Sequence, residues 1–258
     1  MPTSAVRVAA LWQHNLLLWR RDIPSLALLV VMPLLMIAFL QPLYRSTLQA
    51  QGFTGATGAE QAVPGMTVMF ALFGAGIAGF RFFEEHSWGT WERLRAGGVS
   101  PVALMIGKLG PPLVVLLAQV ALLLGLGIAL FGLQIQGTLV AFVAVGWALV
   151  LCMLAYAVAL TSVCRSASQM SAATNVGSIG IAGLGGAIVP PDALPGWAAA
   201  IAPATPAYWA MDGFRTTLLE AGGLAAVLPA IGMLLVFTVV FSGVAAARFR
   251  LSDTKAMS

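Results

Sequence analysis

Charge is scarce in this sequence. Charged residues make up only 9% of the 258, against 60% hydrophobic, and the mean hydropathy is +0.94. Soluble domains carry about 25% charged and roughly 45–50% apolar residues. Folding a chain of about 250 residues still leaves roughly a quarter of its surface exposed, so this composition cannot furnish a water-facing shell. The surplus apolar surface faces lipid, which excludes a soluble enzyme, a DNA-binding domain and a disordered chain. A net charge of +4 and a pI near 9.6 do not point to nucleic acid, because the charges form no patch and sit in short segments between apolar stretches.

Metal-binding residues are equally sparse. The two histidines, His14 and His86, are far apart in the chain, and the two cysteines are Cys152 and Cys164. A metal centre needs three or four converging ligands, and no such set is present. On one helix the cysteines stand about 18 Å apart, beyond disulfide reach, and read as packing residues. Glu84-Glu85-His86 lacks the arginine that a Glu-Glu-x-x-x-Arg membrane protease needs, since Gly89 holds that place. There is no GxxxxGK[ST] loop: Gly107-Lys108 is followed by Leu109, so this chain has no phosphate cradle of the P-loop kind.

Six apolar stretches approach the roughly 20 residues that cross a bilayer: 23–43, 63–83, 109–133, 138–163, 171–189 and 224–247, with Arg81 trimming the second. None carries a charge in its middle. Proton- and sodium-coupled pumps ordinarily need intramembrane carboxylates, so a secondary transporter is disfavoured and a lipophilic or amphipathic cargo suits the spans. The basic residues are divided unevenly among the connections. Arg7, Arg20, Arg21, Arg81, Arg93, Arg95, Lys108, Arg165, Arg248, Arg250 and Lys255 fall on one side, and only Arg45 and Arg215 on the other. The positive-inside rule then puts both termini in the cytoplasm. The first stretch is too long for a signal-peptide core, so no cleavable leader is expected, and Arg20-Arg21 read as an anchoring pair. The preference for Arg over Lys, with many Ala and Gly residues, suggests a GC-rich bacterium and hence its plasma (inner) membrane.

Three segments outside the spans have designs of their own. In 1–22, Val8, Trp12, Leu16 and Trp19 lead into Ile23 at three- or four-residue spacing, with Arg7, His14 and Arg21 on other faces. That pattern predicts an interfacial helix. In the 84–108 loop, Trp88, Trp91 and Leu94 recur every third residue until Gly97-Gly98 breaks the pattern. Ser100-Pro101 restarts a helix as N-cap and first turn. Residues 190–223 are rich in proline and aromatics, too apolar for a floating loop and too broken to span. Such backbone survives at membrane depth only when packed on protein or lining a wet cavity, so a re-entrant helical hairpin outside spans five and six is expected.

These residues resemble the permease subunits of type-2 ABC export systems, including daunorubicin-type drug exporters. Glu85, then Gly89-Thr90-Trp91-Glu92-Arg93-Leu94, Val99-Ser100-Pro101 and Gly107-Lys108, is similar to that family's Glu…Gly-Thr-x-Glu-x-Leu…Ser-Pro…Gly-Lys pattern before span three. Leu194-Pro195-Gly196-Trp197, Pro203, Pro206-Ala207-Tyr208 and Asp212-Gly213-Phe214-Arg215 are similar to its external segment. The resemblance implies an all-α, six-span half-transporter that dimerises with a second permease subunit, like or unlike itself. It also implies a cytoplasmic ABC ATPase subunit, which binds the ATP and Mg that this chain does not. Contacts with that ATPase would involve Glu85, Trp88, Gly89, Thr90, Trp91, Glu92, Arg93 and Leu94, together with Arg7, His14 and Arg21 on the N-terminal helix.

Within the spans the polar residues Gln119, Asn175 and Ser178 either bond between helices or line a cavity. Gly177, Gly180 and Gly183, with Gly185 and Gly186, either permit close packing inside one subunit or form a dimer seam or pathway wall. The resemblance favours the second. The expected cargo is a drug, antibiotic or lipid. A polysaccharide or glycolipid exporter is the alternative, ahead of a six-span membrane enzyme or an ATP-independent channel.

Overall fold

Long apolar runs become helices in lipid because only a helix satisfies its backbone polar groups within one segment. The computed structural model describes residues 23–87, 101–190 and 193–248, with side chains over 27–80, 109–190 and 193–248. Among these residues there is no β-strand. Eight helices follow one another: α1 (Ile23–Ala50), α2 (Ala59–Ser87), α3 (Pro101–Phe131), α4 (Leu139–Val163), α5 (Ala167–Leu184), α6 (Gly196–Ile201), α7 (Pro206–Leu218) and α8 (Leu224–Arg248). A 3-10 turn, Ala202–Ala204, joins α6 to α7. The expected interfacial helix 1–22 and most of the 84–108 loop lie outside the described residues.

Every one of the six apolar stretches lies mainly in a helix, but the ends differ from those expected. α1 continues past Leu43 to Ala50, through Pro33 and Pro42. α2 starts at Ala59 and runs beyond Phe83 to Ser87. α3 begins at Pro101, where a helix was expected to restart, and stops at Phe131 rather than 133, where Gly132 takes a positive φ of 68°. The largest difference is in 171–189. Helix α5 starts earlier, at Ala167, and ends at Leu184. Beyond it Gly186 turns the chain with φ 82°, and Gly185 lies so close to α7 that a Cβ there would stand 2.4 Å from that of Ala207.

The helix starts are written in local chemistry. Thr138 caps α4 by accepting from the Ala141 amide at 3.4 Å, and Thr205 caps α7 from Tyr208 at 3.3 Å with Pro206 in the first turn. Ser166 accepts from the Gln169 amide, and Gln169 Oε1 accepts from the Arg165 amide at 2.9 Å, a reciprocal cap on α5. At the start of α2 the Glu60 carboxylate accepts from the amides of Thr57 and Gly58 at 3.0 and 2.9 Å. A carboxylate suits this end of a helix dipole.

Among the described residues five helical stretches are long and apolar enough to cross a membrane: Ala27–Ala50, Ala59–Phe80, Leu109–Phe131, Leu139–Val163 and Leu224–Arg248. α5, carrying Gln169, Ser171, Thr174, Asn175 and Ser178, is less apolar than these five. α2 is the axis of the bundle and packs against α1, α3, α4, α5 and α7, while α8 packs chiefly on α4 and α7. The side chains of Ile37, Met66, Leu72, Leu116, Leu149, Met153 and Phe214 are fully buried around it. Phe142 meets Phe214 edge-on at 5.5 Å, and Tyr156 meets Phe241 at 5.4 Å, geometries that add to area burial. The outward faces of α1, α3, α4 and α8 are clad in large apolar side chains such as Phe39, Leu130, Val140 and Val239.

Candidate functional site

Of the residues expected to contact an ATPase, only Glu85 falls among the described residues. Glu85 lies in the last turn of α2. Trp88, Gly89, Thr90, Trp91, Glu92, Arg93 and Leu94 lie outside the described residues, as do Arg7, His14 and Arg21.

The three intramembrane polar residues occupy different settings. Gln119, on α3, is buried and donates from Nε2 to the Phe70 carbonyl of α2 at 2.8 Å. It fits a notch at Gly74, where a Cβ would come within 2.4 Å of Gln119 Oε1, an oxygen with no hydrogen-bond partner. This amide ties α2 to α3 inside the bundle. Ser178 is fully buried in α5 and its hydroxyl also lacks a partner. Asn175, one turn earlier, is exposed and donates to Ser171 Oγ at 3.4 Å.

The glycines of α5 divide in the same way. Gly177 is close to the Tyr156 hydroxyl, 3.2 Å from where a Cβ would stand, whereas Gly180 and Gly183 have nothing within 4 Å. The close approach between α2 and α5 is made by glycines on the other helix. A Cβ at Gly76 would strike Thr174, and one at Gly79 would strike Met170 and the Ala157 carbonyl. The outward face of α5 therefore presents Ser171, Ala172, Asn175, Val176, Ile179 and Gly180, a mixed surface unlike the apolar cladding elsewhere.

Two polar groupings had not been expected. Gln41 Nε2 donates to the Phe131 carbonyl at the end of α3 at 3.0 Å, Gln61 Nε2 to the Gly186 carbonyl at 2.9 Å, and the Tyr44 hydroxyl to the Ile188 carbonyl. The first bond ties α1 to the end of α3, and the other two join α2 and α1 to the turn after α5. Gly65 faces the same turn so closely that a Cβ would be 2.1 Å from the Ala187 carbonyl. The signal available in the sequence was a Gln or Tyr within two residues of the end of an apolar run. The second grouping is on α7 and just after it. Arg215 Nε lies 3.6 Å from Glu220 Oε1 and its guanidinium 5.7 Å from the Phe53 ring centre, while Thr216 Oγ1 donates to Glu220 Oε2 at 3.2 Å. Burial, reinforced by repulsion from Glu220 and opposed by Arg215, holds the Asp212 carboxyl above its usual pKa.

Among the described residues no cluster of three or more His, Cys, Asp or Glu could hold a metal ion, and Cys152 and Cys164 are both buried.

Apolar helices turned outward around a better-packed centre define a polytopic α-helical membrane protein. The family model for the ABC-2 type transporter matches residues 6–219, well over half of the chain, and the chain belongs to that family. Such a domain is the membrane permease component of an ABC transporter, with ATP hydrolysis in a separate subunit. The matched stretch contains every candidate site residue from Arg7 to Gly183 and stops just short of Glu220; α8 lies beyond it. No curated protein matches the chain.

Proposed function

We propose that this chain is the permease half of an ATP-driven exporter that moves a lipophilic or amphipathic compound, such as a drug, antibiotic or lipid, out of the cytoplasm or inner leaflet. The observation carrying this reading is the family match over residues 6–219, joined to spans that hold no charge in their middles. The protein sits in a bacterial inner membrane with the arginine-rich connections, Met1 and Ser258 on the cytoplasmic side, as the asymmetry of basic residues supports. α5 serves as a further span, and α6 with α7 as a re-entrant cap on the external side.

Two copies, or this chain and an unlike partner, meet along the outward face of α5. Ser171, Asn175 and Gly180 suit a protein seam or a wet pathway better than acyl chains, because exposed polar groups in lipid are costly. Gly180 and Gly183, open in the single chain, allow close helix approach across such a seam. On the cytoplasmic side, Glu85 to Leu94 and the 1–22 segment receive the push of the ATPase pair, which binds ATP and Mg. ATP must favour one arrangement of the spans over the other through differential contacts.

A mild-detergent pull-down from the native host tests the reading, and a soluble P-loop protein in equal amount is the expected result. Cargo-stimulated ATPase of the reconstituted complex should then fall in Arg93→Glu while membrane insertion is unchanged. A chain that purifies alone and stable would overturn the exporter reading. Stimulation by glycolipids or polysaccharide alone would overturn the cargo assignment.

A further inference from the structure

A groove of about 590 Å³ runs between α4 and α8, walled by Val140, Val143, Trp147, Leu151, Ile231 and Leu235 among others. Every side chain lining it is apolar. It lies among the outward-facing residues of two helices that are each long and apolar enough to cross a membrane, so it is continuous with the surface that meets lipid. Along α4 its lining extends from Leu139 to Leu151, about 18 Å at 1.5 Å per residue. One leaflet contributes about 15 Å of hydrocarbon to the bilayer. The groove is thus the depth of one leaflet and starts at the end of α4 where the Thr138 cap marks the helix entry.

Water is a poor occupant, because an ordered water needs two to four polar partners and the walls offer none. An empty groove forfeits dispersion contacts along its whole length. Among the described residues no neighbouring helix closes it. We infer that this groove is a binding site for one acyl chain of a membrane phospholipid, held longer than the lipids of the surrounding annulus. Shape and dispersion supply the preference, since transfer from bulk lipid brings no hydrophobic gain.

The site rests on the membrane-spanning assignment of α4 and α8 and is independent of any transport reading. The test uses the full chain purified in mild detergent, with no ATPase or nucleotide present. Retained phospholipid is measured by mass spectrometry and lipid phosphorus, in wild type and in two groove-filling variants, Ala144→Phe from α4 and Leu235→Trp from α8. Helix content and elution volume monitor folding and association. The expected result is co-purifying phospholipid in wild type, lost in both variants with folding and association unchanged. In vesicles with brominated acyl chains, the Trp147 contribution, defined by difference from Trp147→Phe, should be quenched more strongly than one dilution of bulk lipid predicts.

Absence of retained lipid in wild type would overturn the assignment, as would equal retention in a folded filled variant. A change in association state with lipid content unaltered would make the groove a contact between copies instead, and would also overturn it. Should one variant misfold, the other and the Trp147 quenching still decide.

Discussion

α2 and α8 are both long and apolar enough to cross a bilayer, yet they stand in opposite surroundings. Most of α2 is buried and most of α8 exposed, although α8 is the more apolar of the two. In a soluble protein the more apolar helix belongs inside. Here the order is reversed, because acyl chains are as apolar as leucine and give no hydrophobic reason to bury it. What draws α2 to the centre is shape and hydrogen bonding. Gly65, Gly74, Gly76 and Gly79 let neighbours approach it closely, and Gln119, Thr161 and Gln61 bond across to or from it.

The sharpest way to break this comparison is to add bulk to a glycine in each helix. Gly65→Val meets the backbone carbonyl of Ala187, which cannot swing aside like a side chain, and should cost about 3 kcal/mol or more. Gly232→Val on α8, with nothing within 4 Å, should change stability by less than about 0.5 kcal/mol. Unfolding in mixed micelles titrated with SDS measures both, and equal losses would sink the contrast. Truncation should separate the helices next. Leu72→Ala, fully buried in α2, should cost about 2–4 kcal/mol, whereas Leu228→Ala, 57% exposed on α8, should leave the same curve nearly unmoved.

α5 sharpens the picture as a third kind of surface, neither packed like α2 nor clad like α8. Gly180→Trp has room in the single chain and should leave helix content intact while shifting the detergent-solubilised permease from dimer to monomer by light scattering. An unaltered dimer would remove α5 from the seam. A smaller effect is expected at Asp212, on the non-spanning α7. Its carboxyl pKa is raised in the fold, so the folded state binds more protons than the unfolded one as pH climbs above the ordinary value of 3.8. Stability from this group is therefore present below that pH and lost as pH rises through the raised value. Asp212→Asn should flatten the pH profile of thermal unfolding in that window and raise the melting temperature at neutral pH. A steeper profile, or a lower melting temperature, would show that Arg215 outweighs burial there.

Much of the helical plan was readable because lipid imposes it. Twenty or so apolar residues without charge have few folds open to them, and Ser100-Pro101 marked the start of α3. The end of α5 was not readable, because Ala187, Ile188 and Val189 are as apolar as a span. They leave the helix because Gly185 fits against Ala207 and because Gly186 and Ile188 lend their carbonyls to Gln61 and Tyr44. The candidate residues of the α5 face were readable as small and polar, but not which of them turn outward.

The sequence alone determined that the surface of this protein is hydrocarbon-facing and its elements helical, because composition and unbroken apolar length leave lipid as the only solvent for them. Tertiary structure alone decided that the least apolar of the five spanning-length helices, α2, forms the axis, that Gln119 and Ser178 turn inward and that Asn175 and Gly180 turn outward. Those choices rest on contacts between residues far apart in the chain, such as Gln119 with Phe70 and Gln61 with Gly186. Hydropathy averaged along a helix carries no record of which neighbour its notches and amides will meet.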